Sequence, residues 1–157
     1  MRITAKVDYA VRACAHLAAA QHEAAGRRAA VKGGPLAEAQ GIPLRFLESI
    51  LSELRRSGIV GSQRGADGGY WLARPAAEVS VADIIRAVEG PLADVHGTPP
   101  EEVTYAGAAA GLQPVWVAVR VALRGVLERT SLADIASGEL PAEVQDLVRQ
   151  PDGWVRR

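Results

Sequence analysis

Within residues 1–75, eleven Lys/Arg stand against six Asp/Glu, a local charge of +5, and residues 76–157 cancel it with seven against twelve. A basic half attracts a polyanion, so its cationic and polar side chains are the first place to look for chemistry. Arg45 is the leading candidate for a base-edge contact, because one guanidinium bonds two guanine acceptors at once. Pro43 and Leu44 beside it are placed to touch thymine methyls, and Ser49 to reach a base or a phosphate. Arg64 suits a narrow minor groove or a phosphate, with Gly65, Gly68 and Gly69 allowing close approach. Lys6, Tyr9, Arg55 and Arg56 are candidate phosphate contacts, one of the arginine pair serving only to cover the core. Each has an ordinary alternative, since outward Arg and Ser are usually just solvated.

These residues need elements to hold them. Ile3, Val7, Val11, Cys14, Leu17 and Ala18 recur at three- and four-residue steps and predict a first helix over Ile3–Gln21, with Lys6, Tyr9 and Arg12 off the stripe. HEAAGRRAAVKGG reads as its fraying end and a flexible connector. Pro35–Gln40 is a second helix stopped by Gly41. Pro43 opens a third with Phe46, Leu47, Ile50, Leu51 and Leu54 inward and Arg45, Glu48, Ser49 and Ser52 outward. Ile59–Gln63 and Tyr70–Arg74 can pair across RGADGG as a hairpin. Ala37, Gly41, Leu47 and Ile50 have the spacing of two helices locked at a tight turn. With the hairpin they predict a winged helix-turn-helix over residues 1–90.

Ser80 and Asp83 form a capping-box start for a helix that Gly90 and Pro91 end. Residues 91–111 have no usable period and read as a long loop or partly disordered lid. Gln113–Arg129 is apolar on more than one stripe, so one face is expected to meet its own domain and the other a second subunit. Two short helices and a loose tail complete a C-terminal region over residues 112–157. The fold class is mainly α with a small β-hairpin wing, in keeping with 48% hydrophobic residues of which few are aromatic.

No nucleophile motif, phosphate loop, HExxH or paired-carboxylate pattern points to an enzyme. The single cysteine, Cys14, excludes an internal disulfide and falls on an apolar stripe, where a thiol is usually inert. No run of about 18 uncharged apolar residues signals a membrane span or export, so a cytoplasmic protein is expected.

Three segments, YAVRACAHLA, GIPLRFLESILSELRRSGIVGSQRGADGGYWLARP and VSVADIIRAVEGPL, resemble the Rrf-two family of IscR/NsrR-type regulators along nearly the whole chain. The most specific pieces are Leu54–Val60, Arg64-Gly65 with Gly68-Gly69-Tyr70 at the wing, and Ile84–Pro91. The resemblance implies a homodimeric repressor on a near-palindromic operator of double-stranded DNA, with Tyr70 among the wing's DNA-binding residues. It also implies a subunit interface on Gln113–Arg129 through Val115, Trp116, Val119, Leu123, Val126 and Leu127. Symmetry would then space the two half-sites by a helical turn or a multiple.

Many members hold an iron-sulfur cluster on three cysteines after the Val-Glu-Gly-Pro helix end, and here LADVHGTPPEEVTYAGAAAGLQPVW contains none. Iron in a sulfide cluster needs thiolates, so the cluster is expected to be absent. His96 stands near the place of a first cysteine and Asp8 resembles a carboxylate ligand of cluster-bearing relatives. Glu101 or Glu102 would be needed to finish a site, and no metal is expected. Two other functions stay open: a partner-binding module with a degenerate wing, and a regulator whose unknown effector lies between the reader and the Trp116 helix.

Overall fold

The computed structural model describes residues 3–25 and 28–155. Helix α1 (Ala5–Glu23) starts at Thr4, whose Oγ1 accepts from the Val7 N–H at 3.2 Å. It is the hub of the fold, touching α2 (Gly33–Gln40), α3 (Leu44–Arg56), α4 (Val81–Glu89), α6 (Leu132–Ser137) and strand β2 (Gly69–Leu72). Its buried face is Val7, Ala10, Ala13, Cys14, Leu17 and Ala18, the alanines letting neighbours approach closely. Ile3, expected on that stripe, precedes the helix and is 72% exposed.

The second and third helices meet at Gly41, where the Ile42 N–H donates back to the Ala37 carbonyl at 2.9 Å. Leu47, Ile50, Leu51 and Leu54 of α3 are buried. Phe46, expected inward with them, is instead 38% exposed and meets Tyr9 edge-on, at 5.6 Å and 78°. A one-residue step along a helix turns the side chain by about 100°, enough to carry Phe46 from the core to its rim.

Strands β1 (Val60–Gln63) and β2 pair antiparallel, with Val60 opposite Leu72 and Gln63 opposite Gly69. The connector expected to be flexible adds a third rung. Val31 bridges Tyr70 through two backbone hydrogen bonds of 2.8 Å, the N–H of each residue donating to the other's carbonyl.

The capping box at Ser80 and Asp83 starts α4 as expected. Residues 91–111 form the long loop that was one of the two expectations, and it lies against α5 (Leu112–Leu127). Val95 bridges Thr98 in a tight turn and Pro100 is fully buried. Gln113 Nε2 donates to the Glu101 carbonyl at 2.9 Å, Trp116 Nε1 to the Tyr105 hydroxyl at 3.1 Å, and Arg120 pairs with Glu101. A proline- and glycine-rich segment thus gains through cross-bonds the order its sequence has no period to announce.

Helix α5 buries no residue fully: one face, with Leu112, Val117, Leu123 and Leu127 half-buried, meets its own chain as expected, and the rest is open. Val115, Val119 and Val121 are 50%, 40% and 60% exposed. Gly107–Leu127 is long and apolar enough by composition to cross a membrane, which the sequence pattern did not announce. Its α-helical part is only 16 residues, a rise of about 24 Å against a hydrocarbon core of about 30 Å, and it carries Arg120 and Arg124. The chain then returns to the first core. Ser131 bridges Ser80, the Leu132 N–H donates to the Val79 carbonyl at 2.9 Å, and Leu132 is fully buried. Helix α7 (Ala142–Arg149) and a 3-10 turn at Pro151–Trp154 follow.

Candidate nucleic-acid interface

The start of α3 and the wing hold the residues with no internal employment. Pro43, Arg45 and Ser49 are exposed and Leu44 is 44% exposed, on the side of α3 opposite Leu47 and Ile50. The side chains of Arg45, Arg56 and Arg64 make no ion pair or hydrogen bond with any described residue. Arg55 is exposed and donates to Ser62 Oγ at 3.4 Å, which ties the end of α3 to the first strand of the wing. An exposed α-helix with a free guanidinium near its first turn is the shape and chemistry a major groove admits.

The wing is built to tight tolerances. A Cβ on Gly68 would come within 2.2 Å of the Gln63 carbonyl oxygen. On Gly69, with φ +154°, it would come within 2.6 Å of the Val31 carbonyl oxygen. Both glycines are buried. They were expected to let the hairpin approach DNA; what they admit is the protein's own backbone, and Gly65 alone of the three is exposed. Tyr70, opposite Ser62 near the turn, is half-buried with both backbone groups spent on Val31.

Two first-helix candidates are also drawn inward. Lys6 Nζ pairs with Glu53 at 2.8 Å and donates to the Val88 carbonyl at 2.7 Å, which leaves it a brace between α1, α3 and α4. Tyr9 packs on Phe46 under the Arg12 guanidinium, 5.5 Å from its ring centroid. Spacing marked both as off the apolar stripe, but it does not show which neighbour fills that side.

Sequence reasoning does not find Arg28 and Lys32, which residues 28–32 carry to the wing. Arg28 lies 3.9 Å over the Trp71 ring and Lys32 donates to the Gly65 carbonyl at 3.0 Å. The available signal was the cationic run Arg-Arg-Ala-Ala-Val-Lys, with Val31 as a lone β-former.

A helix-turn-helix whose second helix is exposed beside a glycine-built wing defines a winged-helix DNA-binding protein. The comparisons with known proteins agree: the Rrf2 family model, described as an iron-dependent transcriptional regulator, matches residues 3–138. The chain belongs to the Rrf2 family. An HTH-type transcriptional regulator of Mycobacterium tuberculosis, Rv1287, is 48% identical over 147 residues, 94% of this chain and 88% of the relative. The HTH-type transcriptional regulator IscR of Photorhabdus laumondii is 34% identical, covering 100% of this chain and 90% of its own. Among solved structures, CymR, the global cysteine regulator of Bacillus subtilis, superposes with a TM-score of 0.72 at 31% identity, over 88% of this chain and 98% of that one. IscR of T. potens gives 0.68 at 32%, over 92% and 91%. The protein is a DNA-binding transcriptional regulator.

The family description raises the question of iron, and the donors present do not fit it. Cys14, the only thiol, is fully buried on α1, where desolvation pushes it up to about 12. Asp8 is paired with Arg12 at 3.2 Å. His96 is exposed in the Val95–Thr98 turn, and no group of three or more His, Cys, Asp or Glu among the described residues is arranged to hold a metal.

Proposed function

We propose that the protein represses transcription as a cytoplasmic homodimer on a near-palindromic operator, and that it works without an iron-sulfur cluster. Arg45 is the base-reading residue and Arg64 the wing's groove or phosphate contact. The observation that carries this is their freedom: both are exposed and uncommitted while Lys6 and Arg28, equally cationic, are bonded within the chain. Dimerisation follows from α5, whose Val115, Trp116 and Val119 face solvent, with Leu123, Val126 and Leu127 half-covered beside them. Burial against a second α5 gives those side chains the cover their own chain does not.

Arg45→Ala and Arg64→Ala separate the two roles. Arg45→Ala is expected to relax preference at one base position and to cost about 1 to 3 kcal/mol. Arg64→Ala should weaken many sequences alike and, if it serves phosphate, lower the salt slope by about one. DNA binding that neither substitution alters would remove the roles of both arginines, whereas no DNA affinity at all, with salt-insensitive association with a protein, would favour the other reading of the fold, a module for a protein partner.

An effector reading also has an observation in its favour. A groove of about 280 Å³ lies between residues 91–100 and α5, lined by Pro100, Trp116, Val119 and Leu123 among others. A small apolar molecule seated there would contact the ordered segment and the dimerisation helix together.

A further inference from the structure

The segment leading into α2 grips the wing at three levels. Close to the turn, one residue from the Gln63–Gly69 pair, Val31 and Tyr70 exchange two backbone hydrogen bonds of 2.8 Å. Along the strands, the Arg28 guanidinium lies 3.9 Å from the Trp71 ring centroid and bonds Gln63 Oε1. At the tip, Lys32 Nζ donates to the Gly65 carbonyl at 3.0 Å and to the Ala66 carbonyl. Those two residues follow Arg64 directly. The turn's own bond runs from the Gly68 N–H to the Gly65 carbonyl at 3.1 Å, so Gly65 accepts from both the turn and Lys32.

We propose that Lys32 is a positioning residue for DNA recognition: by bonding the Gly65 and Ala66 carbonyls it fixes the direction in which Arg64 leaves the wing. The proposal rests on the role assigned to Arg64 above. A glycine-tipped hairpin has many accessible shapes, and an exposed arginine at its tip shares that freedom unless the backbone beneath it is held. An ammonium offers three donors, and two carbonyls on the same side of the turn take two of them. The brace comes from outside the hairpin, so the entry to α2 and the wing tip move as one body, and α2 in turn carries the turn that sets α3. Arg45 and Arg64 are thereby held in a fixed relation.

The competing role for the same ammonium is a phosphate contact, and salt dependence tells them apart. A lysine that neutralises a phosphate contributes about 0.9 to the slope of log affinity against log salt, whereas one spent on protein carbonyls contributes nothing. The test uses the full chain and a duplex that it selects from random sequence. Lys32→Met keeps the aliphatic stem and removes the donor; Lys32→Arg restores one.

Lys32→Met is expected to weaken binding about five- to tenfold, the equivalent of one or so hydrogen bonds, at the wild-type salt slope. Lys32→Arg should recover most of the loss. In an Arg64→Ala background, Lys32→Met should cost less than about twofold more, since there is then no arginine left to aim. In the free protein the Gly68 amide should exchange faster with solvent in Lys32→Met than in wild type. A slope lowered by about one with losses that add would make Lys32 a phosphate contact and overturn the proposal, as would unchanged affinity. If Arg64→Ala itself binds like wild type, the role of Arg64 fails and the positioning role falls with it. If Arg64→Ala weakens binding and Lys32→Met does not, only the Lys32 proposal falls.

Discussion

At the scale of single residues, partners decide roles. Arg12, Arg28, Arg74, Arg86, Arg120 and Arg124 each hold a carboxylate, a carbonyl or an aromatic ring, and Arg45 and Arg64 hold none among the described residues. Lys6 belongs to the first group, so Lys6→Met is expected to lower stability by about 1 kcal/mol and to leave the salt slope of DNA binding unchanged; denaturant melts and a salt titration check both. Cys14 gives a pH dependence. Its folded pKa of about 12 lies above the ordinary 9.0, so above pH 9 the unfolded chain loses a proton that the folded chain keeps. Stability attributable to this group is fully present below pH 9 and falls as pH rises towards 12, with no effect near neutrality. In step with this, a thiol reagent at pH 8 should label Cys14 only as fast as the chain unfolds, and rapid stoichiometric labelling of the native protein would refute its burial.

At the scale of elements, Arg45 was readable because α3 has strong helical periodicity and its outward positions follow from its inward ones. Phe46 shows the limit of the same argument, since period places a side chain on a face but does not say whether another element reaches that face. Residues 28–32 and 91–111 were illegible for a different reason. Their order comes from single long-range bonds, Val31 to Tyr70 and Arg120 to Glu101, and such bonds leave no period in the chain. The glycines were recognised, yet their purpose was not, because only coordinates reveal what a Cβ would strike. Gly69→Ala is expected to force the Val31 carbonyl away and to destabilise the wing by more than 1 kcal/mol, seen as a lowered melting midpoint together with weaker DNA binding. The same substitution at Gly34, where nothing lies within 4 Å of the added carbon, should leave both nearly unchanged.

At the scale of the whole molecule, the reader is one core to which both ends of the sequence contribute. Leu132 of α6 is buried with Val7 and Leu17 of α1 although α5 intervenes. The chain leaves the reader after α4 and returns to it at α6, while an apolar face of α5 stays exposed, the face that the proposed symmetric copy would cover. Val119→Asp should shift the protein from dimer to monomer in sedimentation and cost most of the operator affinity, because two linked readers gain from effective concentration what one lacks. In the proposed dimer, two copies of the α3 and wing face act on one duplex. Selection of bound DNA from random sequence with the purified full chain tests this most directly. The predicted result is an inverted repeat whose half-site centres lie one helical turn or a multiple apart, about 34–36 Å per turn. Recovery of a single unrepeated site, or of no preferred sequence at all, would contradict it.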